Sequence, residues 1–261
     1  MPIKNSEYFV LNGIRSYEMG IYNVVVDHKG VMVSEPLTGQ REIRERYVVG
    51  RTKPYFMGVN KMPPTLFLQL AFVDKFDDKK IREVTNWLCA DTYQELAFSS
   101  NLDRRFFVIA IEEPQIYHTG YNEGYIEITF RCNDYYQYSK EYIDDFNLSE
   151  NTPEGTIIEI KNLGDTILRP RLEIENLVEG QKIQIFNQTD RNKEFFIEGL
   201  KKDEKVFIDC EEEEIFSSLP NTYRYDNHND EWIELVFGTN RLKVIGQCKL
   251  RFLYRFKFQQ G

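Results

Sequence analysis

Lys249-Leu-Arg-Phe-Leu-Tyr-Arg-Phe-Lys-Phe258 alternates polar and apolar residues almost without a break. Leu250, Phe252, Tyr254, Phe256 and Phe258 fall on one side, with Lys249, Arg251, Arg255 and Lys257 on the other. A period of two is that of a β-strand with one covered face and one wet face. Ile126-Glu-Ile-Thr-Phe-Arg-Cys132 repeats the pattern in the first half, setting Ile126, Ile128, Phe130 and Cys132 against Glu127, Thr129 and Arg131. Strands therefore decide the fold class in both halves of the chain.

Outward from Ile126, Leu66–Phe72 and Phe106–Ile111 are nearly continuous apolar runs, which suit strands covered on both faces. Between them lies the one convincing helix. Asp77 or Asp78 can cap it, and Ile81, Val84, Trp87 and Leu88 recur at spacings of three and four until Asp91-Thr92. Residues 1–140 thus read as a β-sheet domain packed by a single helix. Residues 141–155 are polar and acidic, contain Pro153 and Gly155, and read as a linker. From 156 to 261 short strands follow one another: Thr156–Ile160, Arg171–Asn176, Lys182–Phe186, Glu194–Ile197, Lys205–Asp209, Trp232–Phe237, Arg241–Ile245 and the closing strand. That spacing without a helix predicts an antiparallel sandwich or jelly roll.

The segment Thr38–Pro64 has no clear period and carries Arg41, Arg44, Arg46 and Arg51. Loops this long inside a compact domain usually have work to do. Two readings stand side by side: a β-hairpin with a solvated charged face, or an arm reaching a neighbouring subunit through its arginines.

The chain has 261 residues, 41% of them hydrophobic and 14% aromatic, which excludes global disorder. It carries 33 Lys and Arg against 42 Asp and Glu, a formal charge of −9 that argues against gripping nucleic-acid phosphates. Residues 1–140 hold 17 basic and 18 acidic side chains (net −1), and residues 141–261 hold 16 and 24 (net −8). Cys89, Cys132, Cys210 and Cys248 form no C-x-x-C pair, so they read as free thiols of a protein made in a reducing cytoplasm. Neither a signal peptide nor an apolar run of membrane-spanning length is visible.

No catalytic or nucleotide-binding signature is present: no G-x-S-x-G, H-E-x-x-H, G-x-x-x-x-G-K-[ST] or G-x-G-x-x-G after a strand. His28, His118 and His228 lie apart, each beside loop-forming residues, and read as solvated. Asp209 followed by Glu211–Glu214 lacks the spacing and glycine of a calcium loop. Glu112-Glu113 are strand neighbours, so they would point apart rather than converge on one bond. The sequons at Asn147 and Asn187 are short enough to arise by chance. These readings predict no catalytic, metal or cofactor site and a protein that is not an enzyme.

The order of segments resembles the distal tail protein (Dit) family of long-tailed, non-contractile bacteriophages. Tyr8-Phe-Val-Leu-Asn-Gly13 looks like the family's opening strand and turn, with Gly20-Ile21 after it, and Gly50-Arg51 like its Gly-Arg element. The family's next Gly is replaced by Thr52-Lys53-Pro54. Leu66–Phe72, the helix from Asp77 to Asp91, Leu96–Ser100, Arg105–Ile111 and Gly124–Cys132 follow in the family's order, with Asp134-Tyr135 where a Pro usually stands. Gly164–Asn176 with Pro170, and Phe237–Leu242, resemble elements of the family's galectin-like sandwich.

The resemblance implies a homo-hexameric ring at the distal tail tip of a virion, formed by the first domain with Arg41, Arg44, Arg46 and Arg51 as interface candidates. It implies tail tube and tail-tip or receptor-binding proteins as partners, and DNA only in passage. Two other readings compete: a tail tube subunit, and a carbohydrate-binding sandwich with Trp232, Tyr223 and Tyr225 free for stacking.

Overall fold

The structure, a computed structural model, describes residues 6–25 and 35–259. His28 lies outside the described residues. The chain divides into two compact units, one running up to Tyr138 and the other spanning Ser139–Phe258.

The first unit contains β1 (Phe9–Leu11), β2 (Ile14–Arg15), β3 (Ile21–Val24), β4 (Arg41–Arg46), β5 (Tyr55–Lys61), β6 (Thr65–Phe72), β7 (Gln94–Phe98), β8 (Asn101–His118), β9 (Gly124–Cys132) and β10 (Gln137–Tyr138). Its main sheet runs β2-β1-β7-β8-β9-β6-β3, with β10 added to β8. Asn12-Gly13 turns β1 into β2 with positive φ at both residues (50° and 82°), the geometry of a two-residue hairpin that an Asn-Gly pair adopts most readily. The helix α1 (Asp78–Leu88) begins where Asp77 accepts a hydrogen bond from the Lys80 amide at 2.7 Å. It ends at Cys89, two residues before the expected stop. Val84 and Leu88 are buried, and Trp87 stacks on Phe9 while donating its indole N–H to the Leu11 carbonyl.

The expectation of two covered faces on Leu66–Phe72 is corrected. Leu66, Leu68 and Leu70 are buried, but Phe67 between them is 44% exposed. The helix shares its core with one face of the sheet only. The opposite face carries polar pairs, such as Gln69 donating to Glu127 at 2.9 Å and Arg131 to Tyr93.

The second unit contains β11 (Tyr142–Leu148), β12 (Thr156–Asn162), β13 (Arg171–Asn176), β14 (Ile183–Asn187), β15 (Lys193–Ile197), β16 (Lys205–Asp209), β17 (Glu214–Ser217), β18 (Gly238–Ile245) and β19 (Cys248–Tyr254). A five-stranded sheet, β11-β19-β13-β16-β17, and a four-stranded sheet, β12-β18-β14-β15, share one core. Leu172, Ile174, Val206, Leu250 and Phe252 enter it from the first sheet, and Ile160, Ile183, Ile185, Leu242 and Val244 from the second. Leu250, Phe252, Tyr254 and Phe256 are buried as the alternation predicts.

Two expectations change here. The expected linker 141–155 contains β11, which pairs with β19 along its whole length. Trp232–Phe237 is not a strand: only Leu235 makes a bridge, to Leu168. Side-chain amides take the place of a neighbouring strand. Asn187 donates to the Glu234 carbonyl (2.8 Å), Asn162 to Leu235 (2.9 Å) and Asn240 to Val236 (2.7 Å), while Asn240 also accepts from the Val236 amide. Ile233 and Leu235 are buried, but Phe237 is exposed, because the chain turns at Gly238 with φ near +92°.

One buried ion pair ties three segments of this unit together. Arg224 binds both oxygens of Glu204 (2.8 and 2.5 Å), and Glu204 also accepts from the Ser217 hydroxyl and the Lys201 amide. Burial alone would raise the Glu204 carboxyl, but the hydrogen bonds from Arg224, Ser217 and Lys201 outweigh it and hold the pKa below the ordinary range. A depressed folded-state value adds stability that is full above the unfolded value, about 4.3 for Glu, and is lost as pH falls through the folded one. Chemical denaturation of the wild type at a series of pH values should show that loss below about pH 4.3. Glu204→Gln leaves the Arg224 charge buried without a counter-ion, and should cost about 3–5 kcal/mol at neutral pH while flattening this part of the acid dependence.

Candidate functional site

The segment around the four arginines folds as a separate two-stranded sheet, β4 with β5. Ile43 pairs with Val59, and the register shifts by one residue between Arg44 and Glu45, so Met57 is left without a partner opposite. At the base the ribbon is held firmly. The Met62 amide donates to the Gln40 carbonyl at 2.9 Å, and Lys61 donates to the Tyr136 hydroxyl while its ammonium lies about 5 Å from the Tyr135 and Tyr136 rings. Gly39 sits so close to the Met62 carbonyl that a Cβ would fall 2.1 Å from its oxygen. At the tip the Arg51 amide closes a turn onto the Val48 carbonyl, and the guanidinium of Arg51 lies over the Tyr55 ring at 4.2 Å.

Beyond its base the ribbon is bare. Every side chain of β4 is exposed, as are Tyr55, Phe56 and Met57 of β5 and Tyr47, Val48 and Val49 at the turn. A hairpin of two strands is marginally stable in water unless something covers a face of it. Among the described residues Arg41, Arg44, Arg46 and Arg51 make no ion pair within the chain. The surface therefore combines exposed apolar side chains with arginines whose charge is unmatched locally, a mixture common in protein–protein contacts.

Among the described residues, the other side chains singled out from the sequence occupy separate environments. Burial pushes the thiols of Cys132, Cys210 and Cys248 up to about 12, and that of Cys89 upward as well, so none is poised as a thiolate. His118 is exposed and packs edge-on to Phe76. His228 departs from the solvated reading. Its ring is 1% exposed, among Phe195, Tyr225 and Trp232, with Nδ1 at 3.0 Å from the Tyr225 carbonyl. Trp232 is half-buried against the core, Tyr225 accepts from the Ile215 amide and packs with Trp232 around His228, and Tyr223 is exposed.

Glu112 and Glu113 sit at an irregularity in β8, both exposed. Asp209 uses its carboxylate to cap the turn, accepting from the Glu211 and Glu212 amides. Among the described residues no group of three or more His, Cys, Asp or Glu is placed to hold a metal. Of the two sequons, Asn187 is buried and committed to the Glu234 carbonyl.

Residues 4–134 match the family model described as phage tail protein N-terminal domain, and residues 136–254 that described as phage tail C-terminal domain. The SPbeta prophage-derived protein YomH of Bacillus subtilis (strain 168) is 32% identical over 257 residues, which is 98% of this chain and 99% of that protein. Among solved structures, the SPP1 Dit protein superposes with a TM-score of 0.67 at 15% identity, over 95% of this chain and 98% of its own. Its crystal structure is described as a paradigm of the hub adsorption apparatus in phages that infect Gram-positive hosts. A chain of the phage P2 baseplate, in its activated conformation with Ca, follows at a TM-score of 0.53 and 10% identity, over 85% of this chain and 88% of that one. At these identities the structural likenesses establish a shared fold. The two matched domains and the prophage relative establish the family: this chain belongs to the phage tail proteins, and carries both the N-terminal and the C-terminal domain of that family.

Proposed function

We propose that this phage tail protein is a hub at the distal end of the tail. Its first unit closes into a six-membered ring around a channel that continues the tail tube, and its second unit carries tail-tip or receptor-binding components. The role is architectural, not catalytic, and its place is the virion. The bare β4–β5 arm is the observation that carries this reading. A ribbon with exposed apolar residues and four locally unmatched arginines is completed by contact with another copy. Head-to-tail contacts of that kind build rings when the rotation closes. The family membership and the fold shared with SPP1 Dit over nearly the whole chain support the same assignment.

Because the arm's polar contacts are screened by salt, ring formation should be favoured by high protein concentration and low ionic strength. Light scattering over a concentration series should reveal a species several times the monomer mass, and negative-stain images of it should show a ring with a central hole. The double variant Arg44→Glu/Arg46→Glu should remain folded, since both side chains are exposed, yet stay monomeric. Tail tips that contain a single copy of the protein would overturn the reading.

A channel that held phosphates would stall passing DNA, so its lining has to offer few unpaired cations. The near-neutral first domain, with 17 basic and 18 acidic side chains in residues 1–140, suits that requirement. The assembled protein is expected to show no detectable duplex-DNA binding at physiological salt. Each phosphate contact would contribute about −0.9 to the slope of log affinity against log salt. Micromolar binding with a steep slope would contradict the passive channel.

A further inference from the structure

Each sheet of the second unit ends in two edge strands, and one side of the sandwich has its edges covered. Residues 225–229 do the covering. Ile197 of β15 bridges to His228, the Glu198 amide donates to the Asn227 carbonyl, and Asn229 accepts from the Phe196 amide while donating to the Glu194 carbonyl. The Tyr225 hydroxyl accepts from the Ile215 amide of β17. On the other side β11 and β12 end their sheets. β11 carries Asp144 on its inner side, held by the Tyr254 hydroxyl at 2.7 Å, and an inward-pointing charge is one way natural edges block further pairing. β12 has no such block. Its seven residues pair with β18 in unbroken register and include neither Pro nor Gly. Among the described residues, 157–161 make no backbone hydrogen bond outside that pairing. Ile158 and Ile160 face the core, while Ile157, Glu159 and Lys161 form an exposed outer row.

We propose that the open edge of β12 receives an antiparallel strand from a partner protein, with an acid, a cation and an apolar residue at alternate positions. Strand addition takes its affinity from main-chain hydrogen bonds and its selection from alternate side chains. The outer row sets that selection. It favours an acid opposite Lys161, a cation opposite Glu159 and an apolar residue opposite Ile157, which is 44% exposed. Further cations are favoured past the Thr156 end, where Glu150 and Glu154 are exposed and make no ion pair among the described residues. Glu141, Asp145 and Glu159 do have partners, in Arg171, Arg251 and Arg241. The Glu159 pair is a loose one, at 3.5 Å between two side chains more than half exposed. Positions in between continue the inner row of Ile158 and Ile160, so they are apolar. A second copy is the poorer occupant. Joining β12 to its own symmetry mate would also bring the two β11 strands together in the other layer, with Asp144 and Asp145 of both copies on the approaching edges. The inference rests on the hub reading for its partner, a component carried by the second unit, and adds the surface and the chemistry of the docking.

The test uses the full-length protein at physiological salt and a capped, fluorescent peptide of sequence Thr-Glu-Val-Lys-Val-Ile-Thr-Lys-Lys. One control peptide has its acid and cations exchanged, and a second has the same residues in scrambled order. Fluorescence anisotropy should show the matched peptide binding at least about tenfold more tightly than either control. Hydrogen exchange should show newly protected amides within residues 156–162 and none within β17. The double variant Glu159→Lys/Lys161→Glu should weaken the matched peptide about tenfold and strengthen the exchanged one, with Glu154→Lys standing in should it fail to melt cooperatively. Glu212→Lys, in the turn between β16 and β17, should leave binding unchanged. Equal binding of the scrambled peptide, protection elsewhere than β12, or indifference to the edge variants would each overturn the proposal. So would assembled tails in which β12 is covered by a second copy of this chain. Ring formation is read separately by light scattering: rings without peptide binding contradict the docking edge alone, and peptide binding without rings contradicts the hub reading alone.

Discussion

A β-sheet has to hide at least one of its faces from water, and each part of this molecule meets that demand differently. The main sheet of the first unit lays one face against a single helix and leaves the other wet, with Gln69, Glu127 and Arg131 on it. In the second unit two sheets hide each other's inner faces and leave their outer faces charged. The β4–β5 ribbon hides neither face beyond its base. On the proposed hub reading, the cover of this ribbon comes from a neighbouring copy. The ribbon's base is fixed by Gly39, Met62 and the Lys61–Tyr136 contact.

Where one face is apolar and the other polar, the fold was legible in the sequence. Ile126–Cys132 and Lys249–Tyr254 are strands with the predicted sides buried, and the Asp77 cap with Val84 and Leu88 locates the helix. Where both sides of a strand mix acids with apolar residues, the signal fails. Tyr142–Leu148 places Asp144 between Tyr142 and Phe146 on one side, and Asp145 between Ile143 and Asn147 on the other. Only the pairing with β19, including the Tyr254 hydroxyl donating to Asp144 at 2.7 Å, makes it a strand. Glu214–Ser217 is hidden in the same way behind a run of four glutamates.

Alternation can also mislead about backbone pairing. Trp232–Phe237 has the period of a strand, yet Asn162, Asn187 and Asn240 supply its hydrogen bonds, and the first two lie far away in sequence. Distance also hid the burial of His228, because Phe195, which closes over it together with the nearby Trp232, lies in β15. Of the candidate surface, the arginines and the irregular character of the arm could be read directly. The open edge of β12 could not, because it shows only in the strand order of the two sheets.

Hydrogen exchange over residues 41–61 tests the account most directly, measured on the protein free in dilute solution and again in assembled tails. The arm's amides should exchange rapidly in the free protein and be strongly protected after assembly, with β6 and β9 protected in both. Equal exchange of the arm in the two states would mean that no neighbour covers it, and would contradict the account.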